Sequence, residues 1–104
     1  MIHHIEETRI NEEVIKNTSK MTIVNFAADW CAPCQMLAPV LHEIDKKYPE
    51  LEVYRVNVDE SPNANITYGI HSVPTMIFFK DGVEVERKIG VISIQKISEI
   101  IESF

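Results

Sequence analysis

The apolar positions along this chain change period several times, and each change marks an element. Residues 22–28 form an almost unbroken apolar run, the mark of a strand buried on both faces. Between residues 31 and 48, Leu37, Val40, Leu41, Ile44 and Tyr48 recur at helical spacing. Pro39 inside that run lacks a backbone donor and predicts a kink, and Pro49 cannot continue the helix. Ahead of these lies a short apolar segment, Ile2–Ile5. Asn11 then reads as an N-cap, with Glu12 and Glu13 in the first turn and Val14 and Ile15 as apolar contacts.

Val53, Tyr54, Val56 and Val58 predict a further strand, closed by Asp59. Ser61-Pro62 reads as an N-cap followed by proline at the first helical position, with Gly69 as the stop. Thr75–Lys80 is a strand, Asp81-Gly82 a tight hairpin turn, and Val83–Ile89 its antiparallel partner. In that partner Val83, Val85, Arg87 and Ile89 alternate with charged neighbours, as in a half-solvated edge strand. Ser93 caps a last helix whose Ile94, Ile97, Ile100, Ile101 and Phe104 are expected to dock on the sheet. The predicted order is β-α-β-α-β-α-β-β-α. Helix after strand in the first half implies parallel pairing, and the hairpin is antiparallel. The expected class is α/β, a mixed central sheet with helices on both faces. No repeat, low-complexity tract or linker divides residues 1–104, which read as a single domain.

Composition narrows the function classes. The 104 residues are 45% hydrophobic and 25% charged, with a net charge of -6. A negative field repels phosphate backbones and anionic headgroups, so nucleic acid and membrane surfaces are not expected partners. No apolar run approaches the ~18 residues of a membrane span. The start lacks a basic n-region and an apolar h-region, so no signal peptide is expected. The acidic residues Glu6, Glu7, Glu12 and Glu13 are expected to form a solvated face, with His3 and His4 on the surface.

The two cysteines sit together in Trp30-Cys31-Ala32-Pro33-Cys34, after the buried strand and at the head of the long helix. Residues i and i+3 of a helix lie with Cα atoms ~5 Å apart, a separation that a disulfide tolerates. Cys31 would stand at the helix N-terminus, where free N–H groups and the macrodipole favour an anion. Its thiol is therefore expected to ionise below the ordinary ~8.5. Cys34, one turn in, is expected to be less accessible. The asymmetry predicts a mechanism in which Cys31 attacks a substrate disulfide and Cys34 resolves the mixed disulfide. Zinc is the competing use of C-x-x-C, but it needs two further ligands. His3, His4, His42 and His71 offer neither an H-x-x-x-H nor a second C-x-x-C. Two inert buried thiols are a further alternative, which the helix-start position argues against. His71, near a predicted loop, reads as a solvated side chain.

These residues carry a resemblance to the thioredoxin family over nearly the whole chain. W-C-A-P-C is similar to the family's W-C-G-P-C, and Pro39 stands five residues after Cys34, as in the family. Val56-Asn57-Val58-Asp59 resembles its third strand. Tyr68-Gly69-Ile70 with Val73-Pro74-Thr75 resembles the approach to its cis-proline loop. Phe79-Lys80-Asp81-Gly82 resembles its hairpin, and Gly90 its last glycine. The resemblance implies a thioredoxin fold, a cis bond before Pro74, and a Val73 backbone that pairs with an extended substrate segment. Trp30, Ala32, Pro33, Val73, Pro74, Gly90 and Val91 would then form an uncharged docking surface around Cys31. Backbone pairing reads no side chains, which suits many protein substrates.

Two positions depart from the family. Asn25 stands where the family carries a buried aspartate, and Arg55 where it carries a lysine. An aspartate can take the proton of the resolving thiol, whereas an amide cannot. Arginine does not lose its proton and must find water or another acid. Both changes predict a more positive local field, a better stabilised Cys31 thiolate and slower deprotonation of Cys34. The plainer reading of Asn25 is a hydrogen-bonded polar residue in a buried strand. Ala32 replaces a glycine and is expected to shift the redox poise. Ala27 stands where many members carry a second tryptophan, which leaves Trp30 as the one tryptophan.

The expectation is a cytoplasmic, monomeric protein-disulfide reductase with no bound cofactor beyond a redox-active Cys31–Cys34 disulfide. The resemblance implies a thioredoxin reductase-like donor, using NADPH and flavin or ferredoxin. It also implies substrates of the ribonucleotide reductase, peroxiredoxin or methionine sulfoxide reductase type. The rivals are a dithiol oxidase or isomerase on the same fold, and a binding module that uses the scaffold without its thiols.

Overall fold

A computed structural model describes residues 1–16 and 20–104. Strand β1 (Ile2–Ile5) leads into a 3-10 turn (Glu7–Arg9) and one π-helical turn (Asn11–Ile15). Then follow β2 (Met21–Ala27), α1 (Ala32–Lys47), β3 (Glu52–Asn57), α2 (Ala64–Thr67), β4 (Thr75–Lys80), β5 (Val83–Ile89) and α3 (Ile94–Ser103). The sheet order is β1-β3-β2-β4-β5, with β1 and β2 parallel to β3, and β4 antiparallel to both β2 and β5. The mixed sheet that the sequence predicts is present, with β2 at its centre and every β2 residue buried.

Side chains on directly paired residues share a face, which sorts the core into two layers. On one face Ile23, Val53, Met76 and Phe78 pack with Leu37, Leu41 and Ile44 of α1 and with Ile97 and Ile100 of α3. On the other, Val24, Phe26, Val56, Ile77 and Phe79 pack with Ile10, Val14, Ala64 and Ile70. Full burial of a large apolar side chain contributes roughly 1.5–3 kcal/mol. Phe78 on one face and Phe26 on the other, both fully buried, therefore hold both helical layers to the same sheet.

Several local expectations hold. Asp81 and Gly82 both have positive φ, 54° and 78°, as a two-residue hairpin turn with the twist of its strands requires. Ser93 caps α3, its Oγ accepting from the Lys96 N–H at 3.1 Å. Others are corrected. Asn11 does not cap a helix: it lies inside the π turn, whose flanking residue Ile10 offers no side-chain oxygen. Ser61 does not cap α2 either. Its Oγ accepts from the Glu7 N–H at 3.0 Å, so a loop 54 residues away outcompetes the local helix end. Glu7 is buried with it and leaves the expected acidic surface. In α3, Ile97 and Ile100 dock, but Ile94 and Phe104 face solvent because they fall at the helix ends, beyond the sheet.

Candidate active site

The turn after β2 delivers Cys31 to the head of α1. Its backbone is extended (φ -89°, ψ 110°), and its sulfur accepts the Cys34 N–H at 3.1 Å, so a cysteine caps the helix. Ala32 and Pro33 open the helix, where the missing proline N–H is one that the helix leaves unpaired in any case. Cys31 and Cys34 form a disulfide across a Cα separation of 5.2 Å. Pro39 lies inside α1, as expected.

The expected difference in access does not appear as exposure: Cys31 is 4% and Cys34 5% exposed. The two sulfurs differ instead in what surrounds them. Cys31 Sγ lies 3.6 Å from the Val73 carbonyl oxygen, beside exposed Ala32 and Pro33. Cys34 lines a cavity of about 280 Å³ between α1 and the sheet, shared with Asn25, Arg55 and the exposed Ala38, His42 and His4.

The Val73–Pro74 bond is cis, as the resemblance implies. Thr75 Oγ1 donates to the Ser72 carbonyl at 2.7 Å and closes this loop. The Gly90 N–H donates to the Pro74 carbonyl at 2.8 Å, which brings Gly90 to the loop. Gly90 has φ +88°, and open space lies where a Cβ would point. Val91 beside it is exposed. Trp30 is 70% exposed, and its Nε1–H donates to Asp59 Oδ2 at 2.9 Å. A groove of about 460 Å³ runs from Trp30 past Val58, Pro62 and Ile70 to Val73. His71 lies on its wall as an exposed side chain.

Asn25 and Arg55 both line the Cys34 cavity, and Arg55 meets the expectation that it finds an acid. Arg55 finds an acid: its Nη2 lies 3.1 Å from Asp29 Oδ1. That partner offsets the guanidinium charge, so the field is less positive than Arg55 alone predicts. Asn25 is buried, and its Oδ1 has no hydrogen-bond partner among the described residues. Asp29 and Asp59 carried no signal in the sequence as site residues. Their partners lie 26 and 29 residues away, and only the fold brings them together.

Among the described residues, no group of three or more His, Cys, Asp or Glu side chains is placed to hold a metal ion. No helix among them is long and apolar enough to cross a membrane.

The thioredoxin family model matches residues 1–103. The chain is 36% identical over 103 residues to a thioredoxin of Acidithiobacillus ferridurans, covering 98% of this chain and 94% of that protein. It is 42% identical over 73 residues to a thioredoxin of Chlamydia trachomatis, covering 70% and 72%. It is 38% identical over 94 residues to the chloroplastic M-type thioredoxin of Pisum sativum, covering 89% of this chain but 55% of the pea protein. A cysteine pair at disulfide separation, at the head of α1 and against a cis-proline loop, agrees with that match. The chain belongs to the thioredoxin family, and its Cys31–Cys34 pair makes it a thiol–disulfide oxidoreductase.

Proposed function

We propose that this protein reduces protein disulfides, with Cys31 as nucleophile and Cys34 as resolving thiol. The observation that carries the assignment is the Cys34 N–H aimed at Cys31 Sγ, 3.1 Å away. In the reduced protein the same donor and the α1 N-terminus favour negative charge on Cys31. The Cys31 thiolate attacks one substrate sulfur, forms the Cys31–substrate bond and expels the other sulfur as a thiolate. Cys34 loses its proton and attacks Cys31 Sγ. The Cys31–substrate bond breaks, and the substrate sulfur that it held leaves as a thiolate and takes up a proton. Two electrons pass to the substrate, and Cys31–Cys34 is left oxidised.

Trp30, Ala32, Pro33, Val73, Pro74, Gly90 and Val91 form the docking surface in this reading. Its support is the Val73 carbonyl beside Cys31 Sγ and the open face at Gly90. An extended substrate segment can pair with the Val73 backbone there. A reductase-type donor returns electrons to the dithiol. Ribonucleotide reductase, peroxiredoxin and methionine sulfoxide reductase are the substrate types that the family suggests. The protein works as a monomer in a reducing compartment, the cytoplasm, where a lone C-x-x-C pair cycles rather than staying oxidised.

The test is a pair of variants mixed with a disulfide-bonded protein substrate. Cys34→Ser is expected to accumulate a mixed disulfide at Cys31, seen by intact mass. Cys31→Ser is expected to form none. Adduct on Cys34 in the second variant, at the rate of the parent, would reverse the assigned roles.

A further inference from the structure

The resolving thiol must lose a proton before it attacks, and no acid stands beside it in β2. The sheet register shows what stands there instead. Asn25 pairs with Arg55 and Arg55 with His4, so these side chains form one row on the α1 face. Across the cavity, Cys34, Ala38 and His42 follow at helical spacing along α1. Ala38 carries only a methyl group, which leaves space between helix and sheet. The row thus runs from Cys34 past Asn25 and Arg55 to two imidazoles, His4 from the sheet and His42 from the helix.

Three observations point the same way. Cys34 is buried, yet it opens onto this cavity. Its volume, about 280 Å³, has room for several waters on the side of Asn25, Arg55 and the imidazoles, while Ile2, Leu41 and Val53 make the rest of its wall apolar. Asn25 Oδ1, in its wall, is a buried acceptor without a partner among the described residues, the kind of atom that holds a bridging water. Both imidazoles are exposed and can pass a proton to solvent. His42 stands ~12 Å along the helix from Cys34 and His4 ~10 Å across the sheet from Asn25, distances that water must bridge.

We propose that His4 and His42 accept the Cys34 proton through waters held in this cavity, in the place of an acid on β2. The step is balanced. The Cys34 S–H bond breaks, and its proton passes along water to an imidazole, which becomes imidazolium. The thiolate left behind attacks Cys31 Sγ. The departing substrate thiolate is protonated from solvent, and the imidazolium returns its proton there. Arg55 cannot be the acceptor, since it keeps its proton and pairs with Asp29. The charged groups around the two imidazoles are Arg55 on β3, Glu6 and Glu60 beyond His4, Glu43 and Lys46 beside His42, and the Met1 ammonium, which is paired with Asp45.

The inference rests on the proposed roles of the two cysteines, and one experiment separates the two ideas. Reduced protein is mixed with the aromatic disulfide DTNB, which releases a coloured thiolate at each step. The first release reports attack by Cys31, and the second reports closure by Cys34. In the variant His4→Gln/His42→Gln the first phase is expected to match the parent. The second is expected to slow about tenfold near neutral pH and to change its pH profile. Added imidazole is expected to restore part of the rate, which it would not do for a packing defect. Asn25→Asp, which puts an acid into the cavity wall, is expected to make the second phase indifferent to the two histidine changes. A double variant whose second phase keeps both the parent's rate and its pH profile would overturn the relay. A parent with no first phase would instead sink the reading of Cys31 as nucleophile.

Discussion

The indole N–H of Trp30 donates to Asp59 Oδ2 at 2.9 Å, tying the residue before Cys31 to the loop after β3. Asp59 is set in turn by its own N–H, which donates to Asn57 Oδ1 at 2.9 Å. A large, 70% exposed ring is thus fixed beside the sulfurs by one carboxylate. Asp59→Ala is expected to cost about 1 kcal/mol or less of stability, because the bond is open to water. It is expected to slow disulfide reduction about three- to tenfold, because Trp30, part of the proposed docking surface, loses its position. Stopped-flow reduction of a disulfide peptide, beside a thermal melt, separates the two. Trp30 is the one tryptophan, so its emission is expected to change with the redox state in the parent and less so in the variant.

Arg87 on β5 clamps the chain that leads to the cis-proline loop. Its Nη1 donates to the Tyr68 carbonyl at 2.7 Å and the Gly69 carbonyl at 3.3 Å, while Nε and Nη2 bind Glu84. The hydrogen bond to Glu84 holds the guanidinium above its ordinary value, and burial opposes this more weakly. The group therefore stays charged throughout the working range, and its contribution does not vary with pH there. Arg87→Gln is expected to lower stability by about 1–2 kcal/mol, allowing for partial exposure. Hydrogen exchange is expected to rise at residues 68–73 while β2 stays protected. Uniform loss of protection would place the effect elsewhere.

Gly82 and Gly90 share positive φ, but their surroundings differ. A Cβ at Gly82 would lie 2.3 Å from the Ile15 carbonyl oxygen, whereas at Gly90 nothing lies within 4 Å. Gly90→Ala is expected to cost about 1–2 kcal/mol from backbone strain alone, and Gly82→Ala about 3 kcal/mol or more, since backbone must move. Gly90→Ala is also expected to raise KM for protein substrates, and Gly82→Ala to leave KM unchanged. Denaturant melts and steady-state kinetics check both.

Two phenols contribute to the alkaline limit. Burial raises Tyr54 above the ordinary 10.0, aided by Glu52 and Glu13, and burial with Glu7 raises Tyr68. As pH passes 10 the unfolded chain releases these protons first, while the folded chain still holds them. Unfolding is then favoured: the stability is complete below about pH 10 and is lost as pH rises through the raised values. The melting temperature is expected to fall in that window. The fall is expected to be shallower in Tyr54→Phe/Tyr68→Phe, with phenolate absorbance as the check.

Much of the fold was legible because its signals are local. The run at 22–28 is apolar throughout because the central strand is covered on both faces, and the structure buries all of β2. Asp81-Gly82 marks a turn because few residues accept positive φ twice. Ser93 caps because its partner, the Lys96 N–H, is three residues away. The failures are equally physical. Ser61 had the right chemistry for a cap, but a better donor, the Glu7 N–H, arrives from across the fold. Asn11 looked like a helix start, but the segment closes only a single π turn.

The chain's own order of residues determined the chemistry: two sulfurs one helical turn apart at a helix head, with a proline loop to follow. Spacing of 3 residues at the helix head puts the Cα atoms of Cys31 and Cys34 5.2 Å apart, so no distant contact is needed. Only the tertiary structure decided how the two sulfurs differ. One meets the Val73 carbonyl, 42 residues away, and the other opens onto a cavity assembled from β1, β2, β3 and α1. Sheet register decides which side chains line that cavity, and register depends on how whole strands bury their apolar faces.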